Sequence, residues 1–278
     1  MIRTSSLVVA LLVVAFWSGF GNAMESSFAD LDRIIDAGQL VVALPRRDNP
    51  PYVIEVEGRK LQGFDVWLAR QLAAALQVDL QLDRTGTSSD ELIDLVAAGK
   101  ADLALGGILV SARRAMKVHF SRPYIRAAPG WLLNRRGTLS FQSTCPTLAE
   151  MKKLIEEPNQ VAVQKGSWVE ETARQLAPKG VPKLFDDPLK QFDAVLAGNV
   201  AVSIQTEAQA RYLLHKRPSA RIKIRLCLGG ARSHLVAIAV RPDAPDLLRW
   251  VNTFLQVNLI DLTAEELLKF GEQEKLWP

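Results

Sequence analysis

Two hydrophobic patterns, one typical of β-strands and one typical of helices, follow each other in turn along most of the chain. Short apolar runs at 40–44, 78–82 and 101–105 are typical of buried β-strands. Segment 66–76 carries apolar residues at helical spacing, which predicts an amphipathic helix with one buried face. Strands and helices in regular succession predict a largely parallel sheet covered by helices, with a ligand site beyond the carboxyl ends of the strands.

A second unit with the same succession follows in the middle of the chain. Apolar runs at 160–164 and 198–204 predict strands, and helical spacing at 188–197 predicts a helix between them. The apolar run at 235–240 predicts a strand that belongs to the first unit again. The chain therefore crosses between the two units twice.

Two crossings predict an α/β protein of two lobes, each with a mostly parallel sheet flanked by helices. We expect a discontinuous first lobe, residues 24–127 and 231–278, and a second lobe, residues 128–230. The lobes are expected to close on a ligand about a hinge near Ala127 and Ala231.

Several helices are expected to begin at a Ser or Thr that is followed three residues later by Glu, the spacing of a capping box. These pairs are Ser88 and Glu91, Thr147 and Glu150, Ser167 and Glu170, and Thr263 and Glu266. The helix that begins at Ser167 would present free N–H groups and the positive end of its dipole, which favours anions.

The first residues predict a signal peptide, residues 1–23. Arg3 precedes an apolar run at 7–16, and small residues at 21–23 suit cleavage after Ala23. We therefore expect export from the cytoplasm. An uncleaved membrane anchor is the alternative, but the run is short for a spanning helix.

Composition and charge restrict the function further. The chain is 48% hydrophobic and 23% charged, which is typical of a globular protein of one or two domains. Its formal net charge is +4, and subtracting the single charge of Arg3 with the signal peptide leaves +3. A net charge this small argues against nucleic acid as a partner, as does the absence from the sequence of a basic helix with interleaved aromatic residues.

The two cysteines, Cys145 and Cys227, would meet an oxidising compartment after export, so we expect them to form a disulfide. Two buried thiols are the alternative. Their spacing matches no zinc site, and no P-loop or dinucleotide-binding glycine motif is present. We expect neither a metal nor a cofactor.

A candidate anion site lies between Gly106 and Tyr124. A glycine pair follows the strand at 101–105, and Ser111 and Arg114 open a short helical turn. Backbone N–H groups around Gly107 and Leu109 and the Ser111 hydroxyl, beside the five-donor guanidinium of Arg114, would suit a carboxylate. The alternative is that Arg114 is one of many solvated surface arginines.

This stretch resembles the central motif of the bacterial periplasmic solute-binding proteins of family 3, the amino-acid-binding type. That motif has a strand, a Gly/Ser turn, T-x-x-R and F-S-x-P-Y, here Ser111-Ala-Arg-Arg114 and Phe120-Ser-Arg-Pro-Tyr124. Segments LDRIIDAGQLVVAL and GFDVWLARQLAAAL are similar to the start of the mature domain in the same family, and the resemblance covers residues 28–278.

The resemblance implies a two-lobed periplasmic-binding-protein type II fold with the ligand cleft between the lobes. It implies a periplasmic monomer that captures a small solute and delivers it to the permease of an ABC transporter in the inner membrane. It also implies that the turn of Gly166, Ser167 and Trp168 faces the ligand from the second lobe.

Departures from the family pattern bear on the ligand. The acidic residue that accepts the ligand's ammonium group is replaced by Thr206. Glu207 could serve instead, or could be an exposed acid at a helix start. Arg46 and Arg47 stand where some relatives carry an acid at the mouth of the pocket. Each arginine is alternatively a solvated surface residue.

The two aromatic positions that often sandwich the ligand hold Asn49 and Ser89, which Tyr52 and Trp168 could partly replace. More positive and less negative charge predicts a small anionic solute, either an acidic or polar amino acid or an organic acid.

Two other functions remain open. The fold also resembles a periplasmic cyclohexadienyl dehydratase, but the acidic residue on which that activity relies aligns near Gln209, and a neutral amide cannot act as a general acid or base. His119, His215 and His234 have no Ser or Cys partner at nucleophile spacing. The third possibility is a sensor or interaction module that has lost its ligand, which would not close on any solute.

Overall fold

A computed structural model describes residues 28–56, 60–138, 145–229, 234–259 and 262–278 of the chain. The expected signal peptide, residues 1–23, and the hinge position Ala231 lie outside the described residues. Within the described segments, no helix is long and apolar enough to cross a membrane.

Helices and strands alternate through these segments. The helices are α1 (Ala29–Ala37), α2 (Phe64–Leu76), α3 (Ser89–Ala97), α4 (Ala112–Ala115), α5 (Leu148–Glu156), α6 (Trp168–Leu176), α7 (Pro188–Ala197), α8 (Glu207–Lys216), α9 (Pro245–Asn258) and α10 (Ala264–Gln273). The strands are β1 (Gln39–Ala43), β2 (Ile54–Val56), β3 (Lys60–Gln62), β4 (Asp79–Asp83), β5 (Leu103–Ala104), β6 (His119–Phe120), β7 (Ile125–Ala127), β8 (Pro129–Asn134), β9 (Val161–Gln164), β10 (Lys183–Phe185), β11 (Val202–Thr206), β12 (Ile224–Leu228), β13 (His234–Val236) and β14 (Ala239–Val240).

Two five-stranded sheets with the same layout form the centres of the two lobes. The first has the order β4-β1-β5-β14-β6, and only β14 runs against the other strands. The second has the order β10-β9-β11-β8-β12, and only β8 runs against the others. The prediction of two mostly parallel sheets is therefore confirmed.

Two crossing segments connect the lobes and are hydrogen-bonded to each other. Strand β7 leaves the first lobe, β13 returns to it, and the two pair antiparallel with Leu235 opposite Arg126. The expected strand at 235–240 is thus divided between β13 and β14. The boundaries at 127/128 and 230/231 remain predictions.

All four predicted helix starts are capped by their Ser or Thr, and two of them form the complete capping box. Thr147 and Thr263 form capping boxes with Glu150 and Glu266. Ser88 caps α3 by accepting from the N–H of Glu91, but the Glu91 carboxylate accepts from Thr87 and not from Ser88. Local side-chain caps satisfy N–H groups that a helix cannot pair by itself.

The C-terminal helix contacts both lobes. Helix α10 packs against α8 of the second lobe, and Leu268 belongs to a buried cluster with Tyr212 and Leu213. The ring of Trp277 lies 5.5 Å from that of Tyr212. The segment 264–278, expected in the first lobe, therefore also covers the second.

Cys145 and Cys227 form a disulfide, with their Cα atoms 5.7 Å apart. The bond ties the segment before α5 to strand β12. The predicted pairing is confirmed, and the alternative of two buried thiols is excluded.

Candidate functional site

A cavity lies between the lobes at the carboxyl ends of the strands, where the parallel arrangement predicts it. Its volume is about 120 Å³, which is room for a small solute. Its lining comes from segments within 45–52, 87–92 and 106–114 of the first lobe and within 164–169, 186–191 and 204–209 of the second. We refer to it as the interlobe cavity.

The glycine pair forms one wall of the cavity and is held from behind. Gly106 and Gly107 have φ values of 120° and 73°, which L side chains rarely adopt. Their N–H groups donate to one carboxylate oxygen of the buried Asp65, at 2.6 and 2.7 Å. Tyr124 donates its hydroxyl to the same carboxylate at 2.8 Å. The Gly107 N–H is therefore occupied, which corrects the expectation that it faces a ligand.

The Asp65 carboxyl is fully buried, and burial raises its pKa to about 6. The hydrogen bonds from Tyr124, Gly107 and Gly106 act in the opposite direction, since they favour the charged form. Sequence reasoning missed this residue, because an Asp in the first turn of a helix usually faces solvent.

The guanidinium of Arg114 is held by hydrogen bonds from two of its three nitrogens, which leaves the third nitrogen for a ligand. Its Nε donates to Asp90 at 2.8 Å, and its Nη1 donates to the carbonyl of Leu109 at 2.9 Å. Within the described segments Nη2 has no hydrogen-bond partner, and the side chain is 19% exposed. The Leu109 N–H likewise has no partner among the described residues. Two donors of one site are thus available to a ligand.

The neighbouring charges support this orientation of Arg114. Ser111 caps α4 by accepting from the Arg114 N–H at 3.3 Å. Arg113, which is 74% exposed, also pairs with Asp90. Burial alone would raise the pKa of Asp90, but its bonds to the two arginines outweigh burial and hold that pKa below the ordinary value.

On the second lobe, α6 begins at the cavity. Ser167 accepts from the Glu170 N–H at 3.3 Å and donates its hydroxyl to the carbonyl of Gln164 at 2.6 Å. Trp168 lines the cavity, and its ring lies 4.2 Å from that of His234. The indole Nε1 is buried and has no hydrogen-bond partner among the described residues. Burial lowers the pKa of His234, so its ring tends to be neutral against the indole.

The position of the expected ammonium acceptor is filled by neutral groups. Thr206 caps α8, and its N–H donates to the Gln209 Oε1 at 3.1 Å. The Gln209 Nε2 then donates to the Oδ1 of Asn49, in the other lobe, at 2.6 Å. Glu207 pairs with Arg211 at 2.7 Å and does not line the cavity. No carboxylate therefore stands at this position.

The structure brings together seven of the ten residues expected at the site. Those that line the cavity are Tyr52, Gly107, Leu109, Arg114, Ser167, Trp168 and Thr206. Arg46, Ser111 and Glu207 do not line it, and Arg46 is exposed. Arg47 lines it in place of Arg46 and pairs with Asp186 of the second lobe at 2.9 Å.

The chain is similar in sequence to two known proteins that differ in function, an enzyme and a binding protein. The chain is 28% identical over 206 residues to the cyclohexadienyl dehydratase of Pseudomonas aeruginosa strain PAO1, covering 74% of this chain and 72% of that protein. It is 26% identical over 249 residues to the L-cystine-binding protein TcyJ of Escherichia coli K12, covering 88% and 86%.

The fold also matches a solved structure of a binding protein. The arginine-bound form of truncated ArgBP from T. maritima superposes with a TM-score of 0.65 at 27% identity, covering 81% of this chain and 99% of that one. Residues 41–269 match the model of the bacterial extracellular solute-binding proteins, family 3. With this match over most of its length, the chain belongs to family 3 of the bacterial extracellular solute-binding proteins.

Proposed function

We propose that this protein captures a small solute with a carboxylate group, an amino acid or a related organic acid, by closure of its two lobes. It then delivers the solute to an ABC transporter in the inner membrane. Its action in the periplasm follows from the signal peptide expected at residues 1–23. The observation that carries the proposal is the pair of free donors at the cavity, Nη2 of Arg114 and the N–H of Leu109.

The energetics favour a carboxylate at these donors. A guanidinium already held by Asp90 and by the Leu109 carbonyl loses little further conformational freedom when it binds a ligand. A charge-assisted hydrogen bond is about twice as strong as a neutral one. The first turn of α6 also presents N–H groups without intrahelical partners, and its dipole favours negative charge.

We propose a binding protein and not an enzyme, although one relative is a dehydratase. At the position where an acid would be needed, both ends of the Gln209 amide are engaged, by Thr206 and by Asn49. This amide can neither donate nor remove a proton in a reaction at neutral pH. An assay for cyclohexadienyl dehydration should therefore show no activity.

A thermal-shift screen of the purified protein tests the proposal. Amino acids, monocarboxylates, dicarboxylates and small inorganic anions are added one at a time, and hits are measured by calorimetry. A ligand at one hundred times its Kd should stabilise the fold by about 2.7 kcal/mol. Arg114→Ala should abolish the effect.

Arg113→Ala is the matched control, because Arg113 also pairs with Asp90 but is largely exposed. It should leave the affinity within about twofold, as expected for an exposed ion pair. If no solute shifts the melting temperature and the purified protein carries none, the interaction-module function replaces the proposed one.

A further inference from the structure

Positive charge is concentrated in one stretch of the second lobe, residues 211–225, which runs from α8 to β12. The stretch contains six Lys or Arg residues and no Asp or Glu. The whole chain has a formal net charge of only +4, so the residues outside this stretch carry −2 together. Such an asymmetry indicates a local binding surface, which the small net charge of the whole chain conceals.

Four cations in and beside this stretch are free to bind a partner. Some of the others are engaged within the protein, namely Arg211 with Glu207, Arg217 with Asp193, and Lys216 with the carbonyl of Pro278. The side chains of Arg221 and Lys223 are exposed and have no partner among the described residues. The same holds for Arg135 and Arg136, in the turn after β8.

The tertiary fold brings these four cations together at one end of the second sheet. Asn134 of β8 lies opposite Ile224 of β12, and the N–H of Arg135 donates to the carbonyl of Lys223 at 2.8 Å. Arg135 and Arg221 line the same surface groove. We call this surface the basic tip, and its residues are Arg135, Arg136, Arg221, Ile222 and Lys223.

An apolar side chain is exposed between two of these cations. Ile222 ends a short 3₁₀ helix, Pro218–Ile222, and is 79% exposed. Cations that contact headgroup phosphates, beside an apolar side chain that reaches the acyl-chain boundary, suit the surface of an anionic bilayer. An acidic protein surface would satisfy the cations but gives no reason for the isoleucine. The combination therefore favours a lipid surface as the partner.

The basic tip lies at the end of the second lobe that is opposite the cleft. Pro129, at the start of β8, is paired with Thr206, which lines the interlobe cavity. The tip adjoins the other end of β8, about 17 Å away at the rise of an extended strand. A contact at the tip therefore leaves the cleft open to solute.

We infer that the basic tip docks the protein on an anionic phospholipid surface, with the four free cations at the headgroup phosphates and Ile222 at the acyl-chain boundary. The docking does not use the interlobe cavity, so it is independent of the proposed capture of a solute. It holds the protein beside the membrane in which the proposed transporter lies. A contact made by a few exposed cations is reversible and weakens with salt.

Sedimentation of the purified protein with lipid vesicles tests the inference. One set of vesicles contains about one third phosphatidylglycerol in phosphatidylcholine, and the other contains phosphatidylcholine alone. Binding should require the anionic lipid, and it should be lost at about 1 M salt, where the Debye length is about 3 Å. Inorganic phosphate at constant ionic strength should not displace the protein, because the contact is spread over several headgroups. Displacement by phosphate would indicate a site for a free anion and overturn the docking.

Paired charge variants assign the binding to the basic tip. Arg221→Gln with Lys223→Gln should weaken binding to the anionic vesicles about 25-fold, at about fivefold for each cation near the surface. Lys100→Gln with Arg122→Gln removes the same charge from exposed positions of the first lobe, and should change binding less than about twofold. Both double variants should keep the melting temperature of the native protein. Equal losses in the two would mean that binding follows net charge, which overturns the inference.

Variants at Ile222 test the apolar part of the contact. Ile222→Ser should weaken binding about fivefold, whereas Val257→Ser, at a 76% exposed position of α9, should not change it. Both cysteines of the chain are in the disulfide, so Ile222→Cys can carry a polarity-sensitive fluorophore at a single place. Its emission should shift to shorter wavelength with anionic vesicles, and the same fluorophore on Val257→Cys should not shift. Unchanged emission at position 222 overturns the inference.

The vesicle measurements and the solute measurements succeed or fail separately. No binding to anionic vesicles, or equal binding to neutral ones, overturns the inference, and the free cations are then assigned to an acidic protein surface. The basic-tip variants should bind solute as the native protein does. Arg114→Ala, which should lose solute, should still bind the vesicles, so failure of the docking and failure of the proposed function are distinguishable.

Discussion

The Oδ1 atom of Asn49 accepts a hydrogen bond from the Nε2 atom of Gln209 at 2.6 Å, across the cleft between the two lobes. Asn49 also donates its Nδ2 to the carbonyl of Gly106 at 2.8 Å. With the Gln209 Oε1 held by Thr206, a chain of neutral groups connects the glycine pair to the start of α8. This chain connects the two lobes through neutral groups, in addition to the ion pair between Arg47 and Asp186.

Breaking this chain should favour the open form. We expect Gln209→Met to lose the interlobe hydrogen bond to Asn49, worth about 1 kcal/mol, together with the bonds that Thr206 donates to the Gln209 Oε1. The Asn49 carbonyl would then be left unpaired when the lobes close. The ligand-free protein should then have a larger radius of gyration by small-angle scattering, and its affinity for solute should fall about fivefold. Gln175→Met, at an exposed position of α6, should change neither quantity. If the radius of gyration of the ligand-free Gln209→Met variant is unchanged, contacts other than this hydrogen bond hold the lobes together.

The wall of the cavity should not tolerate a side chain at Gly107. A Cβ atom there would lie 2.7 Å from a ring carbon of Tyr52, at a φ of 73° that L residues rarely adopt. We expect Gly107→Ala to lower the free energy of unfolding by about 1–3 kcal/mol and solute affinity by more than tenfold. Gly38→Ala has a similar φ of 63° but no atom within 4 Å, and is the control for backbone strain alone. Equal effects of the two variants would contradict a steric role at the cavity.

Asp65 should make stability depend on pH in a defined direction. Its pKa is raised from 3.8 to about 6 in the folded protein, so the folded state binds a proton more tightly than the unfolded state. The stabilising contribution is full below about pH 4 and is lost as pH rises through 6. The free energy of unfolding of the native protein minus that of Asp65→Asn should therefore fall by about 2 kcal/mol from pH 4 to pH 7.

Urea unfolding at several pH values measures this difference. Tyr124→Phe removes a hydrogen bond that lowers the Asp65 pKa, so the loss should extend to higher pH in that variant. A difference that is constant from pH 4 to pH 7 would show that the Asp65 pKa is not raised.

The disulfide should contribute to stability mainly through the unfolded chain. Cys145 and Cys227 are 82 residues apart, and a crosslink over such a loop stabilises by about 4 kcal/mol in the chain-entropy model. The Cys145→Ser, Cys227→Ser double variant should be less stable by about that amount. A reductant should lower the free energy of unfolding of the native protein to that of the double variant. If the native protein and the double variant are equally stable without reductant, the disulfide does not stabilise the fold.

Local chemistry explains what could be predicted from the sequence. The caps at Thr147 and Thr263 depend on side chains within one helical turn, so their spacing was sufficient. The turn of the glycine pair and Arg114 was also found from the sequence. A backbone with positive φ calls for glycine, and the residues of this turn follow one another within a short stretch of the chain. Strand β10 was missed, since three residues at a sheet edge carry too little pattern.

The sequence by itself therefore determined the two α/β units, the helix starts and the turn proposed to bind an anion. Only the tertiary structure decided which polar groups remain for a ligand. Asp65, 42 residues from Gly107, takes the N–H that was expected for the solute. Gln209, 160 residues from Asn49, closes the cleft by a neutral contact. The first contact depends on packing within the first lobe and the second on how the two lobes dock, and no local pattern records either geometry.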